Sequence, residues 1–246
     1  MIDFHCHLDL YQDFPSVVER CSREMEFVLG VTTTPSAWEH EFTFCQRHSS
    51  IRIALGFHPE LAQERQHELP LFSSLLPRAD FVGEVGLDAS PRWRSTLAVQ
   101  QTVFRYVLGE CQRQGGRVIS IHSRGAATQV MDLMEEFPGC GISVLHWFSG
   151  NKSELERAIA RGCYFSVGPA MLRSKKGQEL GRCMPHNRVI TETDGPFAEI
   201  GGHSLHPWQV GQAVELLASV WNIDSTSAQK RICDNLQALI GHFHKG

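Results

Sequence analysis

Short apolar runs recur eight times along the chain, and segments with helical spacing separate them. The runs are rich in β-branched and aromatic residues, as buried strands are. They cover residues 2–5, 27–31, 51–56, 81–87, 117–122, 142–146, 164–167 and 189–192. A strand followed by a helix, repeated eight times, predicts an α/β fold of the (β/α)8 or TIM-barrel class.

The segments between the runs carry apolar residues three and four positions apart, as a helix that covers a sheet does. Residues 95–115, 126–137 and 153–161 are the clearest examples, Pro207 is expected to open a further helix, and residues 224–240 form the last. No low-complexity tract or linker interrupts the pattern. We therefore expect residues 1–246 to form a single domain.

Composition limits the classes of function that remain open. Lysine and arginine total 23 against 27 aspartate and glutamate residues, a net charge of -4, so any contact with nucleic acid must come from local groups. No run approaches the roughly 20 apolar residues of a membrane helix, and the N-terminus does not resemble a signal peptide, which predicts a cytoplasmic protein without membrane association. The eight cysteines form no CxxC pair and are expected to be buried and free.

Ionisable residues stand where buried strands should be apolar. His5 and His7 are two positions apart on the first strand, so their side chains should point to the same side. Others end the fourth, fifth and sixth strands or follow the eighth, and the C-terminal ends of barrel strands are where active sites form. The predicted metal ligands are His5, His7, Glu84, His122, His146 and Asp194.

Four imidazoles and two carboxylates suit divalent ions such as Zn²⁺ or Mn²⁺, with Mg²⁺ as a further candidate, and we expect two ions per chain. Glu84 is the natural bridging carboxylate because the fourth strand carries no lysine. Two ions roughly 3.5 to 4 Å apart favour hydrolysis of a phosphate ester. We expect Asp194 and Glu84 to be catalytic, with Asp194 accepting a proton from the attacking water.

Six ordered motifs, spread through nearly the whole chain, resemble the TatD family of metal-dependent deoxyribonucleases within the amidohydrolase-like barrels. They are DFHCHLD (3–9), GFHP (56–59), GEVGLD (83–88), IHSR (121–124), HWFSG (146–150) and ETDGP (192–196). The resemblance implies hydrolysis of DNA phosphodiesters. It also implies one metal at His5, His7 and Asp194, a second at His122 and His146, and Glu84 between them. Glu60 and Trp147 depart from the family pattern and leave the substrate preference open.

A narrower resemblance rests on residues 31–38 (VTTTPSAW), on Trp147 and on Gly195. These features resemble the TatD-like member of the Qat anti-phage systems. This resemblance implies a role in bacterial antiviral defence and protein partners from a defence operon. It does not assign an oligomeric state.

The expected substrate-binding groups are basic or aromatic residues near the predicted strand ends. Arg124 lies two positions beyond a predicted ligand, and His58 ends the third strand. Arg173 and Lys175 belong to a run, residues 171–176, that we predict to be a basic loop able to hold the DNA backbone.

Two other functions are compatible with these residues. The first is hydrolysis of an amide or cyclic imide, or deamination of a small molecule, because one barrel scaffold hosts many reactions. The second is a binding subunit of a defence complex that retains its metals for structure alone. Assays on DNA and on small amides distinguish these functions.

Overall fold

The computed structural model describes residues 1–241, so the last five residues of the predicted domain, 242–246, lie outside the described part of the chain. Eight parallel strands follow one another in sheet order from β1 to β8. Each falls within two residues of a predicted run. The strands are β1 (Ile2–Cys6), β2 (Phe27–Val31), β3 (Ile51–Phe57), β4 (Phe81–Gly86), β5 (Arg117–His122), β6 (Gly141–His146), β7 (Tyr164–Val167) and β8 (Val189–Thr191).

Helices separate the strands, as the periodicity predicts. They are α1 (Phe14–Glu24), α2 (Pro35–Cys45), α3 (Ala62–Arg65), α4 (Leu69–Leu75), α5 (Leu97–Arg113), α6 (Ala127–Glu136), α7 (Lys152–Ala160), α8 (Pro169–Leu172), α9 (Lys175–Cys183), α10 (Gly211–Trp221) and α11 (Ser225–Gly241). Pro207 opens a short 3-10 turn, Pro207–Gln209, and α10 follows it. The predicted (β/α)8 class is confirmed.

One compact unit consists of Met1–Gly30, Phe44–Arg52 and the described chain from Tyr164 onward. Within it, β7 pairs in parallel with β8. The Thr191 hydroxyl donates a 2.6 Å hydrogen bond to the Ile2 carbonyl, so the end of β8 lies beside β1. The backbone N–H of Asp194 then donates to the His5 carbonyl at 2.8 Å. This path brings the segment after β8 to the C-terminal end of β1.

The second unit consists of Val31–Thr43 and Ile53–Cys163. It contains β4 paired with β5 and β5 paired with β6, all parallel. The β4 to β5 register shifts between Val82 and Val85, and the peptide bond between Gly83 and Glu84 within this segment is cis. Glu84 therefore lies where the regular ladder of β4 is interrupted.

Gly56 marks a close approach between two segments of the second unit. Its N–H donates to the Thr32 hydroxyl at 2.9 Å, and that hydroxyl donates to the Ala54 carbonyl at 3.1 Å. A Cβ atom on Gly56 would lie only 1.6 Å from the Thr32 carbonyl oxygen. The N–H of His58 donates to the Thr33 carbonyl at 2.8 Å, so this approach also fixes the start of the His58 segment.

Two predictions about the wider chain can be compared with the structure. None of the helices within residues 1–241 has the length and apolar character needed to span a membrane. All eight cysteines are free and six of them are buried, but Cys183 is exposed, so the expectation of burial is wrong there. Cys183 is the last residue of α9 and is not one of the buried residues of that helix. The cytoplasmic location and the single domain stay predictions.

We expect Gly56→Ala to destabilise the protein by about 3 kcal/mol or more, because the added methyl group meets backbone that cannot rotate away. Urea unfolding of the purified variant measures the loss. Gly241→Ala is the matched control, since a Cβ there meets nothing within 4 Å. Equal free energies of unfolding for Gly56→Ala and wild type would show that Gly56 and the Thr32 backbone are farther apart than the structure places them.

Candidate metal centre

His5, His7 and Asp194 form one group of potential ligands in the first unit. His5 lies in β1, whereas His7 stands just after the strand and precedes a short 3-10 turn, so the prediction that both belong to the strand is wrong for His7. The Nε2 atoms of His5 and His7 lie 3.8 and 3.7 Å from Asp194 Oδ1. Asp194 adopts a positive φ of 57° and is fixed by its N–H bond to the His5 carbonyl.

These distances fit one divalent ion shared by the three side chains. Two ligands that each bind zinc at about 2.1 Å can lie at most about 4.2 Å apart. Both nitrogen-to-oxygen distances are shorter than this limit and too long for direct hydrogen bonds. Two imidazoles and one carboxylate are also the donor set expected of a catalytic zinc site. The group therefore fits the predicted metal.

Asp3 is a residue of this region that the sequence analysis missed. Its buried carboxylate accepts hydrogen bonds from the Thr193 N–H at 2.9 Å, from the Thr193 hydroxyl at 2.5 Å and from the His5 N–H at 3.2 Å. Burial raises the pKa of Asp3 to about 8, against the opposing effect of these hydrogen bonds. Asp3 thus ties β1 to the residue before Asp194. Its position two residues before His5 in the strand could have revealed it.

Glu84, His122 and His146 form a second group, in the second unit. The Nδ1 atom of His122 lies 2.6 Å from Glu84 Oε1, and the Nε2 atom of His146 lies 3.6 Å from the same oxygen. The second distance is within the span of one ion and too long for a hydrogen bond, whereas the first is that of a direct hydrogen bond. The three residues come from the C-terminal halves of β4, β5 and β6. This group also fits a divalent ion.

Asp88 orients the imidazole of His122. Its Oδ2 atom lies 2.8 Å from His122 Nε2, while Oδ1 accepts a 2.8 Å bond from the Ser90 N–H. A carboxylate on one ring nitrogen holds the proton there and leaves the other nitrogen, here Nδ1, for a metal. In the segment GEVGLD (83–88), Asp88 follows Glu84 by four residues.

The same contacts shift the ionisation of both groups. Burial alone would lower the pKa of His122, but its hydrogen bonds to Asp88 and Glu84 outweigh burial and raise that pKa to about 9. Burial raises the pKa of Asp88, yet the bonds from His122 and Ser90 prevail and lower it to about 2. In the metal-free protein the two side chains therefore form an ion pair at neutral pH.

His58 also joins the second group. One potential ligand atom each from His58, Glu84 and His122 lies within 4.8 Å of the other two. However, His58 Nδ1 accepts a 3.2 Å hydrogen bond from the Glu60 N–H, so the proton of the neutral ring belongs on Nε2. That nitrogen faces Glu84 Oε2 at 3.2 Å. His58 therefore contacts the Glu84 carboxylate at ion-pair distance, and the predicted contact with DNA stays a prediction.

Three of the predicted DNA-binding residues, Arg124, Arg173 and Lys175, lie at the surface, whereas His58 is partly buried. Arg124 is exposed, and in the part of the chain that the structure describes its guanidinium forms no ion pair. The predicted basic loop at 171–176 is wrong: Arg173 follows α8, and α9 begins at Lys175. The physical reason is Ser174, whose hydroxyl accepts from the Gly177 N–H at 2.9 Å and caps α9.

The fold and the two ligand groups define a metal-dependent hydrolase of the (β/α)8 class. The model of the family described as TatD related DNase matches residues 2–241. The chain belongs to this family.

Named relatives and solved structures agree with the assignment. Human deoxyribonuclease TATDN3 is 26% identical to the chain, over 91% of this chain and 88% of its own. The Escherichia coli K12 protein YcfH, described as an uncharacterized metal-dependent hydrolase, is 24% identical, with coverages of 99% and 96%. The crystal structure of the Escherichia coli TatD homologue YJJV superposes with a TM-score of 0.85 at 21% identity, covering 97% of each chain.

We expect Zn²⁺ or Mn²⁺ to raise the melting temperature of chelator-treated protein by about 5 to 10 °C at a hundredfold excess over Kd. Binding to the folded state alone supplies about 2.7 kcal/mol under those conditions, and each kcal/mol is worth about 2–4 °C at this size. His7→Ala should reduce the shift, whereas His67→Ala, which alters an exposed histidine, should not. An equal shift in both variants would remove His7 from the ligands.

We expect Asp88→Asn to weaken metal binding about 10- to 100-fold, because the amide no longer holds the proton on His122 Nε2 as a carboxylate does. Titration calorimetry with Zn²⁺ measures the change. Asp80→Asn, at an exposed position, is the control. Unchanged affinity in a folded Asp88→Asn protein would contradict the orienting role.

Proposed function

We propose that this protein is a deoxyribonuclease that hydrolyses DNA phosphodiester bonds with two divalent ions. One ion would be held by His5, His7 and Asp194, and the other by Glu84, His122 and His146. The observation that supports this most is that each group places nitrogen and oxygen ligands within the span of a single ion. Membership of the TatD related DNase family and the name of the human relative support DNA as the substrate.

The donor set favours particular ions. Imidazole nitrogens suit Zn²⁺ and Mn²⁺, whereas Ca²⁺ and Mg²⁺ prefer sites made of oxygen ligands. Zinc and manganese are therefore preferred over magnesium. When bound, such ions supply charge stabilisation at the phosphate and lower the pKa of water.

Asp194 is the member of the first group that solvent reaches. Its side chain is 14% exposed, whereas those of His5 and His7 are 0% and 1% exposed. A carboxylate that solvent water reaches can accept a proton from that water. The two imidazoles are buried and are not in contact with solvent water. We therefore assign Asp194 the role of general base.

Each carboxylate oxygen of Glu84 is in contact with a histidine. Oε2 faces His58 at 3.2 Å and Oε1 faces His122 at 2.6 Å. These contacts limit its rotation, so the carboxylate is preorganised for a metal. Its role as a bridge between two ions, and its catalytic role, stay predictions from the sequence.

The DNA backbone would be held by local positive charge, because the net charge of -4 gives no general attraction. Arg124 is exposed and follows the ligand His122 by two residues, which makes it the preferred phosphate contact. Arg173 and Lys175 are also exposed, at the junction of α8 and α9. Arg173 contacts Gln212 Oε1 at 3.2 Å, a weak bond that DNA can replace.

A role in antiviral defence is a further part of the proposal and rests on sequence resemblance alone. Residues 31–38 and Trp147 resemble the TatD-like component of Qat systems. Protein partners from a defence operon follow from the same resemblance. Loss of phage protection in cells carrying a metal-binding variant supports this role, and retained protection excludes an enzymatic contribution.

We expect Asp194→Asn to lower turnover on end-labelled DNA about 10²-fold or more, because the amide is not a base. Metal content is measured in the same samples, since a lost ligand would mimic a lost base. Asp80→Asn is the control at an exposed aspartate. Near-normal turnover in a fully metal-loaded Asp194→Asn protein would rule out the base role. Metal-dependent hydrolysis of small amides without cleavage of DNA would instead support the amidohydrolase alternative.

A further inference from the structure

Phe197 is an exposed aromatic side chain in contact with a proposed metal ligand. It is 62% exposed, the highest value among the large exposed hydrophobic residues within 1–241, and the only aromatic residue in that set. Its ring centroid lies 4.9 Å from that of His7, with the two rings nearly perpendicular at 80°. It also follows Asp194 by three residues. The phenyl ring therefore contacts His7 of the ligand group while much of the ring is exposed to solvent.

The backbone around Phe197 is held firmly. The Ala198 N–H donates to the Asp194 carbonyl at 2.9 Å, and the Leu205 N–H donates to the Ala198 carbonyl at 2.9 Å. The Tyr11 hydroxyl in turn donates to the Leu205 carbonyl at 2.6 Å. Between Ala198 and Leu205 the chain forms a short antiparallel hairpin, Glu199–Ile200 with His203–Ser204. Exposure of Phe197 is thus not a consequence of a loose segment.

Other aromatic residues of the same unit are packed on one another. His206 lies 5.0 Å from Tyr11 and 4.6 Å from Trp208, measured between ring centroids. The guanidinium of Arg20 covers Trp208 at 3.9 Å. Single exposed hydrophobic residues are common on protein surfaces. Phe197 differs because it combines exposure, contact with His7 and an anchored backbone.

We propose that Phe197 stacks on a nucleobase of the DNA strand that is cut, and so positions the strand at the ligand group of His7 and Asp194. This inference rests on the proposed function. Each phosphate in DNA carries a base on the adjoining sugar, so a strand whose phosphate lies at this group places a base close by. Stacking on an aromatic ring accepts any base and contributes about 1–3 kcal/mol. Phe197 would be a positioning residue that does not take part in bond cleavage.

The test measures how the metal-loaded, full-length protein cleaves two DNA strands of equal length. One is oligothymidylate, and the other has an abasic residue at every position. Phe197→Ala should raise KM for oligothymidylate about 5- to 150-fold with kcat nearly unchanged, the equivalent of losing one stacked base. KM for the abasic strand should not change. Phe197→Trp should restore the wild-type value, and Leu71→Ala, at an exposed leucine of α4, is the control.

A second readout follows stacking directly. The fluorescence of 2-aminopurine in a single strand is quenched when the base stacks, so wild type and Phe197→Trp should quench it more than Phe197→Ala. Metal content and melting temperature are compared to establish that the variant is folded.

Equal loss on base-bearing and abasic strands, or no change in KM on either, overturns the proposal while leaving the nuclease intact. Unchanged quenching in Phe197→Ala overturns it as well. If metal-loaded wild type cuts neither strand, the proposed function itself fails, and the inference fails with it.

Discussion

The position of Asp194 depends on hydrogen bonds between β1 and the segment after β8. Asp3 accepts from both the N–H and the hydroxyl of Thr193, and the Asp194 N–H donates to His5. Asp194 has a positive φ, which a non-glycine residue adopts only when its surroundings hold it there. These bonds therefore place one carboxylate beside two imidazoles that β1 and its continuation supply. Without them, ligands 187 or more positions apart in the chain would not meet.

In the second unit, hydrogen bonds between side chains, and not backbone hydrogen bonds, hold the candidate ligands in position. Asp88, His122 and Glu84 form a continuous line of hydrogen bonds, and His58 lies 3.2 Å from the other carboxylate oxygen of Glu84. Buried charges are tolerated only when they are paired or bound to metal, and this line pairs each of its members. The arrangement is the usual outer support of a metal-binding histidine.

The strands were predictable because their burial on both sides produces long apolar runs, and all eight runs correspond to observed strands. The two groups of candidate ligands stand out in the sequence as polar residues that interrupt this pattern, and their role as ligands stays a prediction. Asp3 was missed because it was treated as part of a motif and not as a buried acid. The helix that starts at Lys175 was missed because charge dominated the interpretation of 171–176, although Ser174 and Gly177 form its cap. The orientation of His58 depends on a backbone contact with Glu60, which no sequence pattern contains.

The Glu84 side chain connects its own strand, β4, with residues from β5, from β6 and from the segment after β3. His58 follows β3, Glu84 belongs to β4, and His122 and His146 end β5 and β6. A slip of one residue in β5 or β6 would turn the histidine of that strand to the opposite face of the sheet. A misaligned chain would then lack the carboxylate and imidazole pairs that an ion requires. An ion bound by this group would therefore stabilise only the chain whose strands are correctly aligned.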